Sequence, residues 1–280
     1  MIRIIKRTLI VLFVFSVALF GYGYYKTQTL RDHDGPKIEM MEDSITISVR
    51  DSESLLLQGI NAYDAKDGDV SDSLVVQGLS KFVEKGRREA SIAAFDSDNN
   101  VVRATRDVRY SDYISPRFTL DRPLSFPVGT RDSVLEHAVH ANDCLDGDLS
   151  NKVSVEMESS DDWIDTSVEG SVRLVYSVIN SAGDIAELPV TVTVYNSSSH
   201  SRIPKIRLKK YIVYLAAGDS FSPKEYVIGM EEDEETLPAN WRRIRITDPV
   251  DPSVPGVYEV IYSVSDESGR QVSKVYLPRV

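Results

Sequence analysis

The segment VRLVYSVINSAGDIAELPVTVTVY, residues 172–195, constrains the fold of this chain more than any other. Val172, Leu174, Tyr176 and Val178 alternate with Arg173, Val175 and Ser177. A period of two belongs to an extended strand with one face on a core and the other on solvent or a neighbour. Asn180-Ser181-Ala182-Gly183-Asp184 then reads as a turn, and LPVTVTVY resumes the alternation, so the whole is a β-hairpin. The design returns twice, in REASIAAFDSDNN at 88–100 and YEVIYSVSDESGR at 258–270. Ile92, Tyr176 and Tyr262 correspond, as do Asp96, Asn180 and Asp266.

Such recurrence is the mark of tandem units. Each unit also opens alike, at Pro36-Lys37-Ile38, Pro116-Arg117-Phe118 and Pro204-Lys205-Ile206. The expected division is 36–112, 113–196 and 204–280, with a polar joint over 197–203. Short strands punctuated by Gly, Asp, Asn and Pro describe an all-β chain of three antiparallel sandwiches, each closed by its hairpin. VLEHAVH at 134–140 can be read as helix or strand, and strand is preferred since it follows Gly129 and precedes a turn-rich loop.

The N-terminus is of another kind. Residues 1–7, MIRIIKR, carry Arg3, Lys6 and Arg7, and Thr8–Tyr25 carry no charge at all. Eighteen helical residues span roughly 27 Å, close to the hydrocarbon core of a bilayer. The positive-inside rule then sets 1–7 in the cytoplasm, 8–25 across the membrane, 26–35 as a linker and the body outside. A cleaved signal peptide is the competing reading, but bulky Tyr22, Tyr24 and Tyr25 stand where a small-residue cleavage site belongs. Beyond residue 31 the acidic side chains outnumber the basic ones, 43 to 27. A body so acidic repels phosphate and argues against a nucleic-acid partner.

Two loops repeat a richer motif, DAKDGDVSD at 64–72 and DCLDGDLSN at 143–151. Asp64, Asp67, Asp69, Asp143, Asp146 and Asp148 are candidate calcium ligands, because calcium takes carboxylate and carbonyl oxygens. Their spacing is not that of an EF-hand loop. The alternative is a turn in which Asp side chains accept backbone N–H groups and Gly68 or Gly147 supplies a positive φ, with Val70 or Leu149 plugging the sandwich end. The spacing favours the turn, and no resident cofactor is expected.

No nucleophile elbow, phosphate loop or zinc-protease motif is present in the sequence. His137 and His140, three apart on a strand, would face opposite ways and make no joint zinc site. Cys144 sits among carboxylates that disfavour its thiolate. The run GMEEDEET at 229–236 reads as a solvated loop, or as a docking patch for a basic partner. Trp163 and Trp241 read as packing residues, with sugar stacking the alternative.

Together the DGD loops, the turns DTSVEG (165–170) and DPSVPG (251–256), and the aromatic strands resemble the bacterial immunoglobulin-like repeats of Gram-positive surface proteins and a pesticidal crystal toxin. Unit one departs from the pattern with Lys81-Phe82-Val83, and unit three carries GDSFSPKEYV (218–227) near the place of the DGD loop. The resemblance implies immunoglobulin-like sandwiches strung outside the cell as spacers, stalks or adhesive units. The function expected is therefore a non-enzymatic, membrane-anchored surface protein whose modules space or bind, with an unidentified envelope protein or cell-wall or surface glycan as partner. The alternative is an accessory subunit of an envelope assembly, recruited through the helix.

Overall fold

The computed structural model describes residues 2–30, 34–157, 166–197, 205–216, 218–232, 235–251, 253–266 and 269–279. The 197–203 joint beyond its first residue, Trp163, Asp165 and Pro204 lie outside the described residues. The chain divides into two compact units, Met1–Asp112 and Tyr113–Val280.

The first unit begins with the helix Ile2–Leu30. Its stretch Ile5–Lys26 is long and apolar enough to cross a membrane and is buried nowhere in the protein, a test that a signal sequence also passes. Two sheets follow. Lys37–Met40, Ile60–Asp64 and Gly68–Asp69 make the smaller. In the larger, Ser44–Ile47 pairs in parallel with Val101–Tyr110, which pairs antiparallel with Arg87–Phe95 and through it with Val75–Leu79. Ile60, Ala62, Leu74, Ile92 and Ala94 form one cluster between them. Ile47, Leu56, Ala90 and Val108 form another. Each large aliphatic side chain so buried contributes about 1.5–3 kcal/mol. Among them lies a cation: the Arg106 guanidinium donates to the carbonyls of Leu56 and Gln58 at 2.9 and 2.7 Å, satisfying the end of the 3-10 turn Glu53–Leu57.

The second unit builds the same pair of sheets from residues 113–196. Arg117–Thr119, His140–Asp143 and Gly147–Asp148 form the smaller. Ser125–Pro127, Ile185–Tyr195, Gly170–Ile179 and Ser154–Met157 form the larger, again with one parallel pairing at its edge. Leu174, Tyr176 and Val178 point inward as their alternation requires. Residues 205–279 repeat the plan with Lys205–Leu208, Val227–Glu232 and Glu235–Leu237, and with Ile244–Thr247, Gly256–Asp266 and Gly269–Arg279. Here the parallel edge shrinks to a single bridge, Ile212 to Tyr276.

Three expectations are corrected. Residues 134–140 are not a strand: Asp132–Glu136 is a short helix, and the next strand begins only at His140. Leu135, Ala138 and Val139 are the buried side chains, a spacing of three and four that no strand can place on one face. His137 therefore caps a helix, its backbone and ring nitrogens both turned to the Ser133 carbonyl, while His140 faces Asp121 at 3.7 Å. The acidic run 229–236 is not a loop but two paired strands, with residues 233–234 outside the described set. By its position between the second and third strands of the small sheet, this hairpin stands where the other repeats carry the DGD loop. GDSFSPKEYV instead supplies the 3-10 turn Pro223–Tyr226 before the second strand.

Candidate functional site

Each DGD loop is a tight hairpin. Asp64 pairs with Gly68 and Asp143 with Gly147, in the same register. The two glycines hold φ of 78° and 73°, the left-handed region where a Cβ is strained. Asp64 Oδ1 accepts the N–H of Lys66 and Asp67, and Asp143 Oδ1 accepts those of Leu145 and Asp146. Asp69 and Asp148 each accept the N–H two residues on, from Ser71 and Ser150. Those serine contacts hold both carboxyls below the usual aspartate range. Leu149 is buried beneath the loop, and Val70 packs on the first unit's core.

The middle carboxylate reaches further. Asp67 accepts the backbone N–H of Ser97 at 2.8 Å and its hydroxyl at 2.9 Å. Asp146 does the same to Ser181, both at 2.6 Å. Ser97 and Ser181 lie at the turns of the closing hairpins, so this carboxylate clasps the small sheet to the large one. The hydrogen bonds to Ser97, the backbone one foremost, lower the Asp67 carboxyl. The sequence signal for the clasp was a serine directly after the aligned Asp96 and Asn180.

In the second unit the clasp joins a buried polar network. Asn180 Nδ2 donates to Asp143 Oδ2 at 3.2 Å and to the Tyr113 hydroxyl at 2.8 Å. Tyr113 and Ser115 donate in turn to Asp184 Oδ2. Burial, then the Asp184 carboxylate, push the Tyr113 phenol well above its ordinary value. The exposed Cys144 thiol turns to the Ile114 carbonyl. Among the described residues no three His, Cys, Asp or Glu side chains gather in an arrangement that could hold a metal ion. The six DGD carboxylates are divided between two loops, and each accepts N–H or O–H donors, Asp64 through its Oδ1 alone.

The other notable surface is a seam within the second unit. Tyr276 pairs with Glu259 on the outer face of its hairpin, opposite the inward Val260 and Tyr262, yet is only 2% exposed. Its hydroxyl donates to the Thr191 carbonyl at 2.8 Å, and the Thr191 hydroxyl donates to Glu259 at 3.1 Å. The Tyr214 hydroxyl accepts the Phe118 N–H at 2.7 Å, with the Arg117 guanidinium over its ring. The cores of 113–196 and 205–279 accordingly form one hydrophobic cluster. Where the two outer faces part, an open groove of about 320 Å³ is lined by Arg173, Pro189, Thr191, Pro249, Tyr258 and Glu259 among others. Trp241 stays 46% exposed beneath the Lys224 ammonium.

No protein-family model matches the chain. The pesticidal crystal protein Cry22Aa of Bacillus thuringiensis is 29% identical over 138 residues, 49% of this chain and 18% of that protein. Among solved structures, the M60 catalytic domain with its CBM51 domains from Clostridium perfringens ZmpB is 13% identical, covering 87% of this chain and 30% of that one at a TM-score of 0.23. Human CDH23 EC21-23 is 11% identical, covering 87% of this chain and 100% of that one at 0.20. Overlays at these scores carry no argument about this chain. The findings amount to a weak sequence similarity to one crystal protein, of whose length this chain spans under a fifth.

Proposed function

We propose that this is a non-enzymatic, membrane-anchored surface protein whose three immunoglobulin-like repeats act as an extracellular spacer or binding stalk. One observation carries the reading: an exposed apolar helix with basic residues before it leads into a body that is chiefly β-sheet among the described residues. The positive-inside rule then sends the acidic body outward. Weak similarity to the crystal protein and the DGD signature support membership in the bacterial immunoglobulin-like repeats. For a binding stalk, the seam groove offers a guanidinium, a carboxylate, a hydroxyl and a tyrosine ring, a set suited to sugar hydroxyls. The alternative is an accessory subunit of an envelope assembly, recruited through the helix.

Cys144 gives a direct test, being the chain's one cysteine and exposed. A membrane-impermeant maleimide should label it on intact cells, in a species that keeps the helix and stays with the membrane after alkaline extraction. Labelling only after lysis, or release of a shortened body into the medium, refutes anchored display. Replacing the helix by an unrelated one then separates the two readings, since an assembly subunit loses its partner and a stalk does not.

A further inference from the structure

Asp64 and Asp143 occupy one position in two repeats, and their surroundings differ by a reciprocal exchange, with Asp96 and Asn100 standing where Asn180 and Asp184 stand. Asp143 Oδ1 accepts two loop N–H groups, and Oδ2 accepts the Asn180 amide. Asp64 Oδ1 accepts the same two loop groups, but its Oδ2 meets no hydrogen-bond donor of the protein. Asp64 is 2% exposed. The residue in the place of Asn180 is Asp96, itself 8% exposed. The equivalence is structural as well as sequential: each accepts the N–H four residues on, from Asn100 or Asp184, and each is followed by the clasped serine. Repeat one thus sets a second carboxylate where repeat two sets a donor. Asp96 keeps donors of its own, the Asp98 and Asn100 N–H groups on Oδ1 and the Asn100 amide on Oδ2 at 2.6 Å, so the unpaired atom is Asp64 Oδ2. A buried carboxylate oxygen with no donor is costly, and a cation shared with Asp96 removes the cost.

We infer that the Asp64–Asp96 pair at the DGD end of the first repeat is a calcium site, absent from the second repeat because Asn180 replaces one of its carboxylates. The ligand is a hard divalent cation, because every donor at hand is oxygen and two carboxylates balance two charges. Only these two acids are used, with backbone carbonyls and water completing the shell; Asp67, Asp69, Asp146 and Asp148 keep their turn and clasp contacts. A site with so few charged ligands belongs with extracellular modules, which bind at roughly 10⁻⁴–10⁻³ M.

Hydrogen exchange of the full chain in detergent, in 10 mM CaCl₂ or in EGTA, tests this. Where calcium is ten times its dissociation constant, opening of the loaded loop becomes about tenfold rarer. Amides of 60–70 and 95–101 should slow by about that factor, while 140–151 and 179–185 stay unchanged. Asp96→Asn rebuilds the amide of repeat two and should protect repeat one in EGTA while abolishing its calcium response. Asn180→Asp should create a response in repeat two. Equal protection of the wild type in calcium and EGTA overturns the proposal, as does an Asp96→Asn chain that still responds. Equal slowing in both repeats places calcium on the shared loop residues and overturns it too.

Discussion

Truncating Tyr276 tests whether residues 113–196 and 205–279 stand as one cooperative body. The side chain is almost fully buried by the neighbouring repeat, and burial raises its phenol far above the ordinary value. A buried tyrosine removes roughly 150–250 Å² from water, worth about 4–6 kcal/mol as an upper bound. Large aromatic-to-alanine changes in cores cost about 3–5 kcal/mol. Tyr276→Ala should therefore lower the stability of the second unit by about 3–5 kcal/mol. Tyr276→Phe keeps the ring and strips only the donor from the Thr191 carbonyl, costing about 1–1.5 kcal/mol. Urea denaturation of the full chain gives the totals, and hydrogen exchange resolves them by segment. In Tyr276→Ala the strand Ile185–Tyr195, more than 80 residues away in sequence, should lose protection together with Gly269–Arg279. A loss under about 1 kcal/mol, or an effect confined to the third repeat, would mean the seam is a surface contact rather than shared core.

Asp146→Ala should release the Ser181 turn, raising exchange at 180–184 while the local DGD turn, held by Asp143, persists; unchanged exchange there would dismiss the clasp. Gly68→Ala and Gly147→Ala meet no steric neighbour, so each should cost only the left-handed backbone strain, about 1–2 kcal/mol by urea midpoint. Asp67, Asp69 and Asp148 have carboxyls lowered in the folded state, so their contribution is complete above the unfolded aspartate value near 3.9. Urea midpoints should hold steady from pH 7 to about 5 and decline below about 4 as these groups take up protons. A rise in stability on acidification would contradict the sign.

The sequence alone determined what is local. The alternation of Leu174, Tyr176 and Val178 fixes which side chains face a core, because successive strand residues must point to opposite sides. Gly68 and Gly147 fix tight turns, because only their backbone enters the left-handed region without strain. Tertiary structure decided what depends on a partner far along the chain. Asp67 finds Ser97 and Asp146 finds Ser181 only after two sheets have stacked. Leu135 enters a helix although it follows a turn and looks extended, because the core accepts Leu135 from the helix and Ala138 and Val139 from the turn just beyond it. Tyr276 shares its parity with the outward Glu259, and nothing in its own strand says it is buried. Periodicity tells a strand that it has two faces; only the neighbouring repeat decides whether the second one meets water.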